Sequence, residues 1–415
     1  MNVLHINTYS DGGAGLCARR IVDAERAAGI DARLLVAHGS PCATVAVAEL
    51  TLPWSHFALV RKAQVLCNTF NKWPRAAHFQ AQLRAARAQS AVPPHCSLPV
   101  THYTSLHQHP WIMEADIVHL HWVSDFVDYA TFFPIVRKPM VWTLHDLNPG
   151  MGVMHHANPK VVVSDSLRVL EREMAVIKDT ALRARQASLT LVGISPEMNR
   201  FIESNPLLHE MPSVPIHNGI NGESFHLVEK GMAREALGLA RDKRMFIFVA
   251  HSIHDPFKGL TELLAALERL ALSDVLLLCI GNYHGTIPSA SFEIRCEGFV
   301  GNNRLQSLYY SAADFFVMPS FQESFAQTPL EAMACGTPVV AFPTGIAPEL
   351  INSGNGVLCR DFTVEALADG LREAMSRTYD REAIRTDVID RFSYDKIARQ
   401  YIELYERILT EQKDA

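Results

Sequence analysis

The sequence predicts an α/β protein made of two consecutive doubly wound domains. Short apolar runs alternate with helical patterns, an order typical of parallel sheets covered by helices. Five runs precede a stretch rich in Pro, Asn and Gly at 204–221, and five follow it: 3–7, 32–37, 116–122, 140–145 and 189–194, then 245–251, 275–281, 292–299, 314–319 and 338–342. A length of 415 residues also exceeds what one ordinary core organises.

Composition indicates a globular protein and argues against several functional classes. The chain is 48% apolar and 20% charged, and its net charge of −6 provides no overall positive field for nucleic acid. No apolar run reaches the roughly 18 residues of a membrane span, and the N-terminus has the pattern of a core strand rather than that of a signal peptide. The eight cysteines include no Cys-x-x-Cys pair. We therefore expect reduced thiols in a cytoplasmic protein.

The domain boundaries are predicted at 1–205 and 218–392, with a linker at 204–221. A long helix at 393–412 is expected to pack back on the first domain. The segment 50–110 interrupts the alternation, because tryptophans and basic residues lie on a helical stretch there. It is either an amphipathic insertion with a solvated basic face or a contact with anionic lipid or a lipid-linked acceptor.

Two carboxylates stand in the segment 321–343, at the end of a predicted strand. Glu323 lies in the loop and Glu331 in the first turn of the following helix. Ligands of open α/β sheets bind at this end of the strands, so the pair suits an anionic, polyhydroxylated ligand. Thr328 as N-cap would make Glu331 part of a capping box, whereas the alternative for Glu323 is a solvated loop acid. Backbone N–H groups at 324–327 can turn toward phosphate oxygens.

A second candidate is Lys258, in a loop between the strand 245–251 and an amphipathic helix. A cation is disfavoured at the N-terminus of a helix, so this lysine requires an explanation. A bound phosphate would supply one, and the alternative is a side chain extended into solvent.

Glycines dominate the connection between the first strand and the first helix, at residues 11–15. They would let the backbone approach an anion, or they form a tight turn. The spacing does not match a dinucleotide fingerprint, and the second strand has no acidic residue at its end.

Histidines mark the ends of strands in the first domain. His119 and His121 share one face of a strand and are expected to be satisfied core residues, since the remaining ligands of a metal site are missing. His145 directly follows a strand, beside Asp146, and is the better candidate for contact with a substrate.

These residues carry a resemblance to a known family. The sequence resembles retaining glycosyltransferases of the GT-B fold, specifically glycosyltransferase family 4 and its branch that builds bacterial exopolysaccharides. The resemblance spans nearly the whole chain and is most specific in the segment from Glu323 to Glu331. Further matching elements are Lys258-Gly259, Gly298-Phe-Val, Tyr309-Tyr-Ser-Ala-Ala-Asp, the Gly-Gly-Ala-Gly sequence at 12–15, Val118-His-Leu-His-Trp, Trp142-Thr-Leu-His145-Asp146 and Ile216-His-Asn-Gly-Ile-Asn.

The resemblance implies two Rossmann-like doubly wound domains that face each other across a cleft. It implies a hexosyltransferase that moves a sugar from a nucleotide-diphosphate donor to an acceptor hydroxyl with retention of configuration. No essential cofactor or metal is implied. Bacterial polysaccharide or glycoconjugate synthesis is the expected setting, with a sugar-containing acceptor that is free or lipid-linked. The expected location is cytoplasmic, with or without peripheral contact with the inner face of the cytoplasmic membrane.

The resemblance also assigns roles to individual residues. Glu331 would hold the ribose hydroxyls, Glu323 and His145 would lie near the donor sugar, and Lys258 would bind the diphosphate. The implied catalytic residues are His145, Glu323 and Lys258. The implied donor-binding residues are Gly12, Gly13, Ala14, Gly15, Lys258, Phe299, Val300, Ser324, Phe325, Ala326 and Glu331.

Two departures from the family pattern leave alternatives open. Many relatives carry an arginine shortly before the lysine, where this chain reads Val249-Ala-His-Ser-Ile-His. Stabilisation of the diphosphate would then rest on Lys258, His251 or His254 and backbone N–H groups. The loop after Asp146 is also less aromatic than in close relatives. A non-catalytic nucleotide-sugar-binding subunit is the alternative function, while a Rossmann oxidoreductase lacks its fingerprint here.

Overall fold

Two units, each built around a parallel sheet, make up the chain. The computed structural model describes residues 1–48, 75–89, 94–156, 163–284, 287 and 290–414. The first unit comprises Met1–Ile194, Met198–His217 and Ile397–Ala415, and the second comprises Ser195–Glu197 and Asn218–Lys396. Among the described residues, no helix combines the length and apolar character needed to cross a bilayer.

Every neighbouring pair of strands in the two sheets is parallel. The first sheet contains β1 (Asn2–Tyr9), β2 (Asp31–His38), β3 (Val45–Val47), β4 (Ile117–Leu120), β5 (Met140–Leu144), β6 (Leu189–Gly193) and β7 (Ser213–Pro215), in the order β3-β2-β1-β4-β5-β6-β7. The second contains β8 (Arg244–Ser252), β9 (Val275–Asn282), β10 (Glu293–Cys296), β11 (Phe315–Met318), β12 (Val339–Ala341) and β13 (Gly356–Leu358), in the order β10-β9-β8-β11-β12-β13.

Helices connect these strands. They are α1 (Gly12–Ala27), α2 (residues 75–87), α3 (Pro110–Glu114), α4 (Tyr129–Phe132), α5 (Asp165–Arg183), α6 (Pro196–Ser204), α7 (Lys230–Ala236), α8 (Leu260–Leu270), α9 (Asn303–Ala312), α10 (Thr328–Ala334), α11 (Ala347–Leu350), α12 (Val364–Met375), α13 (Arg381–Phe392) and α14 (Tyr394–Asp414). Two 3-10 turns lie at Leu106–Gln108 and Asn148–Gly150.

The predicted fold class is confirmed: both sheets are parallel and doubly wound, and all ten predicted runs form strands. The structure adds β3, β7 and β13, which have three residues each and lie at sheet edges. Such short strands show neither the alternation nor the apolar run from which a strand is predicted.

The order of strands reverses at one place in each sheet, between β1 and β4 and between β8 and β11. A crevice opens outside the carboxyl ends of the strands at such a switch point, because the two connections leave in opposite directions. Each unit can therefore hold a ligand at the loops that follow the two strands of its switch point. These strands are β1 and β4 in the first unit and β8 and β11 in the second.

The segment 50–110 lies partly outside the described residues, and so do Trp54 and Trp73. Its described helix, α2, buries Phe79 and Leu83 in a cluster with Leu167 and Met174. Arg75 and Arg84 of the same helix are exposed. The described helix of this segment is thus amphipathic, and its apolar face packs on its own unit.

Candidate functional site

Lys258 and Glu323 form an ion pair at the switch point of the second sheet. Lys258 follows β8 and Glu323 follows β11, and these two strands are neighbours. Lys258 Nζ donates a hydrogen bond to Glu323 Oε1 at 2.6 Å, and both side chains are partly buried. The topology therefore brings together two predicted site residues that are 65 positions apart.

This pair explains how a lysine is held at the N-terminus of α8. Burial lowers the pKa of Lys258, but the Glu323 carboxylate and its hydrogen bond raise it by more, so the pKa lies above its ordinary value. The ammonium group stays charged at neutral pH. An ammonium has three N–H donors, so Lys258 can keep Glu323 and still donate to a phosphate oxygen.

Backbone contacts fix the two loops against each other. Phe321 N donates to Phe257 O at 2.9 Å. Gly259, at the N-cap of α8, has φ +76°, and a Cβ added there would lie 2.0 Å from Pro319 O. The residue after Lys258 must therefore be glycine for both conformational and steric reasons.

Replacing Gly259 with alanine is expected to destabilise the second unit by about 3 kcal/mol or more, because backbone atoms of the β11 loop have to move. Gly298→Ala is the matched control. Gly298 also has positive φ (+71°), but nothing lies within 4 Å of its added Cβ, so only the strain of about 1–2 kcal/mol applies. Urea denaturation measures both effects, and equal losses in the two variants would contradict the steric argument.

The loop after Glu323 has a strained backbone. Ala326 has φ 73°, a left-handed conformation that costs an L-residue on the order of 1 kcal/mol. Ser324 O accepts from Ser195 Oγ at 2.6 Å, and Phe325 O accepts from Ile346 N at 2.8 Å. These anchors hold Glu323 through the neighbouring residues, and strain of this kind concentrates at ligand sites.

Glu331 lies in the first turn of α10, as predicted, but the start of the helix differs from the prediction. The helix begins at Thr328, and Gln327 occupies the N-cap position without a side-chain cap bond. Gln327 Nε2 instead donates to Gly219 O at 2.7 Å. The prediction of Thr328 as N-cap is therefore wrong, since Gln327 takes the cap position.

Tyr310 holds the Glu331 carboxyl group. Its hydroxyl donates to Glu331 Oε2 at 3.1 Å, and Glu331 is 8% exposed. Burial, with Glu331 as a second cause, raises the pKa of Tyr310 well above its ordinary value, so the phenol remains a donor. One side of the Glu331 carboxyl group is thus occupied by a permanent donor from α9.

Phe299 and Val300 follow β10, where the sheet gives way to a loop. Val300 is buried, whereas Phe299 is 63% exposed and its ring centroid lies 6.2 Å from that of His251. Gly298 O accepts from Gly281 N at 2.8 Å, which ties this loop to the end of β9. An exposed aromatic ring on an anchored loop offers a surface on which a planar base can lie.

The residues Gly12, Gly13, Ala14 and Gly15 form the first turn of α1, not a loop before the helix. Gly12 and Gly13 are exposed, and this turn contains no acidic side chain. A Cβ at Gly15 would lie 2.6 Å from Tyr9 O, so Gly15 allows α1 to start directly against β1. The turn presents helix N–H groups, the arrangement that favours an anion.

His145 in the first unit contacts His121 and precedes a firmly held aspartate. Its Nε2 lies 3.1 Å from His121 Nδ1. The adjacent Asp146 is fixed by Trp122 Nε1 at 2.6 Å, His155 Nδ1 at 2.5 Å and Asn148 N at 2.9 Å. Burial lowers the pKa of His145 to about 4, although Asp146 opposes this shift, so the ring is neutral at pH 7.

His119 and His121 are buried core residues with hydrogen-bond partners, in line with their prediction. His119 Nδ1 lies 2.6 Å from Tyr405 Oη, and its Nε2 lies 2.8 Å from Thr143 Oγ1. Burial lowers the pKa of both histidines well below its ordinary value. Together with His5, their nitrogens lie within 4.8 Å of one another, and this cluster was missed at the sequence level.

Comparisons with known proteins relate this chain to glycosyltransferases. Residues 243–377, which carry Lys258, Glu323 and Glu331, match the model of the family described as glycosyl transferases group 1. An uncharacterised glycosyltransferase of Methanocaldococcus jannaschii is 27% identical over 311 residues, covering 70% of this chain and 75% of that protein. A D-inositol 3-phosphate glycosyltransferase of Thermobispora bispora is 28% identical over 323 residues, covering 71% of each.

Solved structures extend the likeness to both units. A sucrose-phosphate synthase from Thermosynechococcus elongatus has a TM-score of 0.66 at 17% identity, covering 99% of this chain and 100% of that one. HepE from Anabaena, solved in complex with UDP and glucose, has a TM-score of 0.64 at 18% identity, covering 98% and 99%. Residues 243–377 thus match the model of the glycosyl transferases group 1 family, and the chain has the two-unit parallel-sheet fold of these GT-B structures.

Proposed function

We propose that this protein is a retaining hexosyltransferase of glycosyltransferase family 4 that uses a nucleotide-diphosphate sugar as donor. The observation that carries the proposal is the Lys258–Glu323 pair at the switch point of the second sheet. It combines a charged donor suited to phosphate with a carboxylate suited to sugar hydroxyls. The solved HepE complexes with UDP, glucose and UDP-glucose support a donor of this class.

In the proposed reaction, the bond between the anomeric carbon and the diphosphate oxygen breaks as negative charge develops on the leaving group. Lys258 and the N–H groups at the start of α8 stabilise this charge, an effect of the oxyanion-hole type. The acceptor oxygen bonds to the same face of the anomeric carbon, and its proton passes to the departing phosphate. Glu323 stabilises the positive charge that develops on the sugar ring.

The remaining predicted residues are proposed to bind the donor. Glu331 accepts hydrogen bonds from ribose hydroxyls, and Phe299 with Val300 contacts the base. Backbone N–H groups of Ser324, Phe325 and Ala326 face phosphate or sugar oxygens. The first turn of α1, with Gly12, Gly13, Ala14 and Gly15, is proposed as a second phosphate-binding element, and His145 as a contact of the sugar.

Donor binding is expected to raise the melting temperature in a panel of nucleotide sugars, because a ligand that binds only the folded state stabilises it. Glu331→Ala should weaken donor binding most, by about 10-fold to 100-fold. The reason is that contacts to the ribose are equally strong in the bound donor and in the transition state. Glu331→Gln, which keeps the size and a hydrogen-bond acceptor, is the control. Binding without release of nucleoside diphosphate would instead identify a non-catalytic binding subunit, and no shift with any donor would contradict the proposal.

The stereochemistry is tested on the product, and the role of metal is tested by turnover with a chelator. Retention predicts the donor's anomeric configuration in the glycoside, which is measured from the coupling of its anomeric proton. Because Lys258 takes the position of the charge-stabilising cation, we expect full turnover in the presence of a chelator. An inverted product would contradict the retaining mechanism.

The acceptor is proposed to be a sugar, in bacterial polysaccharide or glycoconjugate synthesis, and lipid-linked. Arg75 and Arg84 on α2 are exposed basic side chains that suit contact with anionic headgroups. Co-sedimentation with vesicles containing anionic lipid should decrease in Arg75→Ser/Arg84→Ser relative to the parent protein. Equal sedimentation with neutral and anionic vesicles would contradict membrane contact of this kind.

A further inference from the structure

A continuous line of buried side chains leads from Glu25 to His145 inside the first unit. Glu25 Oε2 lies 2.8 Å from His5 Nε2, and His5 Nδ1 lies 2.9 Å from His121 Nε2. His121 Nδ1 lies 3.1 Å from His145 Nε2. Glu25, His5 and His121 are at most 1% exposed, whereas His145 is only partly buried.

The fold places these residues in one row. His5 on β1 and His119 on β4 are paired directly in the parallel ladder. Because side chains alternate along strands, His121 lies on the same face as His119, and His145 follows β5 beside them. Glu25, on the buried face of α1, covers the far end of the row.

Ionised Glu25 gives every hydrogen bond in this row a direction. A carboxylate only accepts, so His5 carries a proton on Nε2, and in the neutral ring Nδ1 is an acceptor. His121 must then donate from Nε2 and accept at Nδ1. In turn, His145 donates from Nε2, which leaves the lone pair on its Nδ1.

A second branch of the network is consistent with the same direction. Tyr405 Oη lies 2.9 Å from Glu25 Oε1 and donates to it, so the Tyr405 oxygen accepts from His119 Nδ1. His119 Nε2 then accepts from Thr143 Oγ1, which accepts from the Tyr401 hydroxyl at 2.8 Å. All bonds of both branches are thus satisfied by one charged group and neutral rings.

We propose that Glu25, His5 and His121 are positioning residues that hold His145 with its proton on Nε2, so that its Nδ1 accepts a hydrogen bond from a hydroxyl of the sugar substrate. Within the described part of the chain, no hydrogen bond engages Nδ1 of His145. This inference rests on the proposed function in its choice of ligand. The tautomer itself follows from the hydrogen-bond row with an ionised Glu25 and a neutral His5.

A metal ion is the competing interpretation of the histidine cluster. The ligand atoms of His5, His119 and His121 lie close enough for one ion. However, the geometry shows a protein partner at both ring nitrogens of each of the three histidines. An ion would have to replace several of these bonds, so the hydrogen-bonded row is the arrangement that we favour.

The test combines Glu25→Gln with NMR of the ¹⁵N-labelled full-length protein, in which ring nitrogen shifts distinguish a protonated from an unprotonated nitrogen. The parent protein should show His145 protonated on Nε2 at pH 7. The amide in Glu25→Gln can donate as well as accept, so His145 should become a mixture of tautomers. We expect kcat to fall about 10-fold or more, because part of the population presents a donor instead of an acceptor. The KM for the donor should change less than kcat.

Tyr405→Phe is the matched control, because it removes a hydroxyl from the other side of Glu25 and leaves the row to His145 intact. It should lower stability but preserve both the tautomer of His145 and kcat. If the parent protein shows a proton on Nδ1 of His145, His5 carries a second proton and the proposed direction is overturned. An unchanged tautomer and kcat in Glu25→Gln, or one equivalent of zinc bound at the three rings, overturns it as well. A parent protein without glycosyl transfer contradicts the proposed function, while the tautomers still decide the inference.

Discussion

Replacing Lys258 with alanine is expected to lower turnover about 100- to 1,000-fold, the loss found when one preorganised donor to a developing anion is removed. In the proposed reaction, the negative charge next to Lys258 is larger on the departing diphosphate than on the bound donor. The loss should therefore appear in kcat more than in donor affinity. Release of nucleoside diphosphate at saturating donor measures this effect.

The ion pair complicates the single variant, because Lys258→Ala also leaves the partly buried Glu323 carboxylate without its 2.6 Å partner. Glu323→Gln keeps the size of the side chain but removes its charge, and it is expected to lower turnover by a similar order. The double variant Lys258→Ala/Glu323→Gln separates the two contributions. Its loss should be smaller than the sum of the single losses, since contacting residues are coupled.

Stability measurements on the same variants distinguish a catalytic from a structural role. If the pair only fixes the β8 and β11 loops, the double variant should recover most of the lost stability and turnover together. If Lys258 acts on the diphosphate, stability recovers while turnover remains low. Full turnover in Lys258→Ala would exclude the proposed phosphate contact.

The fold could be predicted from the sequence because strands buried on both faces appear as continuous apolar runs. The three-residue strands β3, β7 and β13 could not, since their pairing depends on neighbours already in place. The start of α10 was misplaced by one residue for a similar reason. Gln327 satisfies a partner outside the helix, Gly219 O, and local cap preferences do not include that contact.

The sequence predicted which residues belong to the candidate site, but it did not predict which of them contact each other. Lys258 and Glu323 were each identified from local chemistry, but their contact depends on the neighbouring positions of β8 and β11 in the sheet. The row behind His145 was missed, although a signal was present. His5 interrupts an apolar core strand, and Glu25 stands in the apolar stripe of α1 that includes Ile21 and Val22. Polar residues on buried faces of adjacent elements indicate a shared network.

This network leads to the second large effect, a loss of stability in mild acid. Burial lowers the pKa of His119 and His121 well below its ordinary value, whereas both rings titrate near 6.5 when unfolded. Between these values the unfolded chain binds more protons than the folded one, so the free energy of unfolding falls as the pH falls below about 6.5. His119 and His121 together contribute about 3 kcal/mol of this loss for each pH unit while both rings stay neutral. Urea denaturation at pH 7, 6 and 5 measures it.

His119→Gln is the control for this prediction. A glutamine amide can donate to the Tyr405 oxygen and accept from Thr143 Oγ1, as the neutral ring does, but it does not titrate. The variant should therefore lose stability less steeply with acidification than the parent protein, even if it is less stable at pH 7. Most carboxyl groups take up protons only below pH 5, so the slope between pH 7 and 5 reports on histidines. Identical slopes in the two proteins would mean that His119 takes up its proton in the folded protein, and this would contradict the prediction.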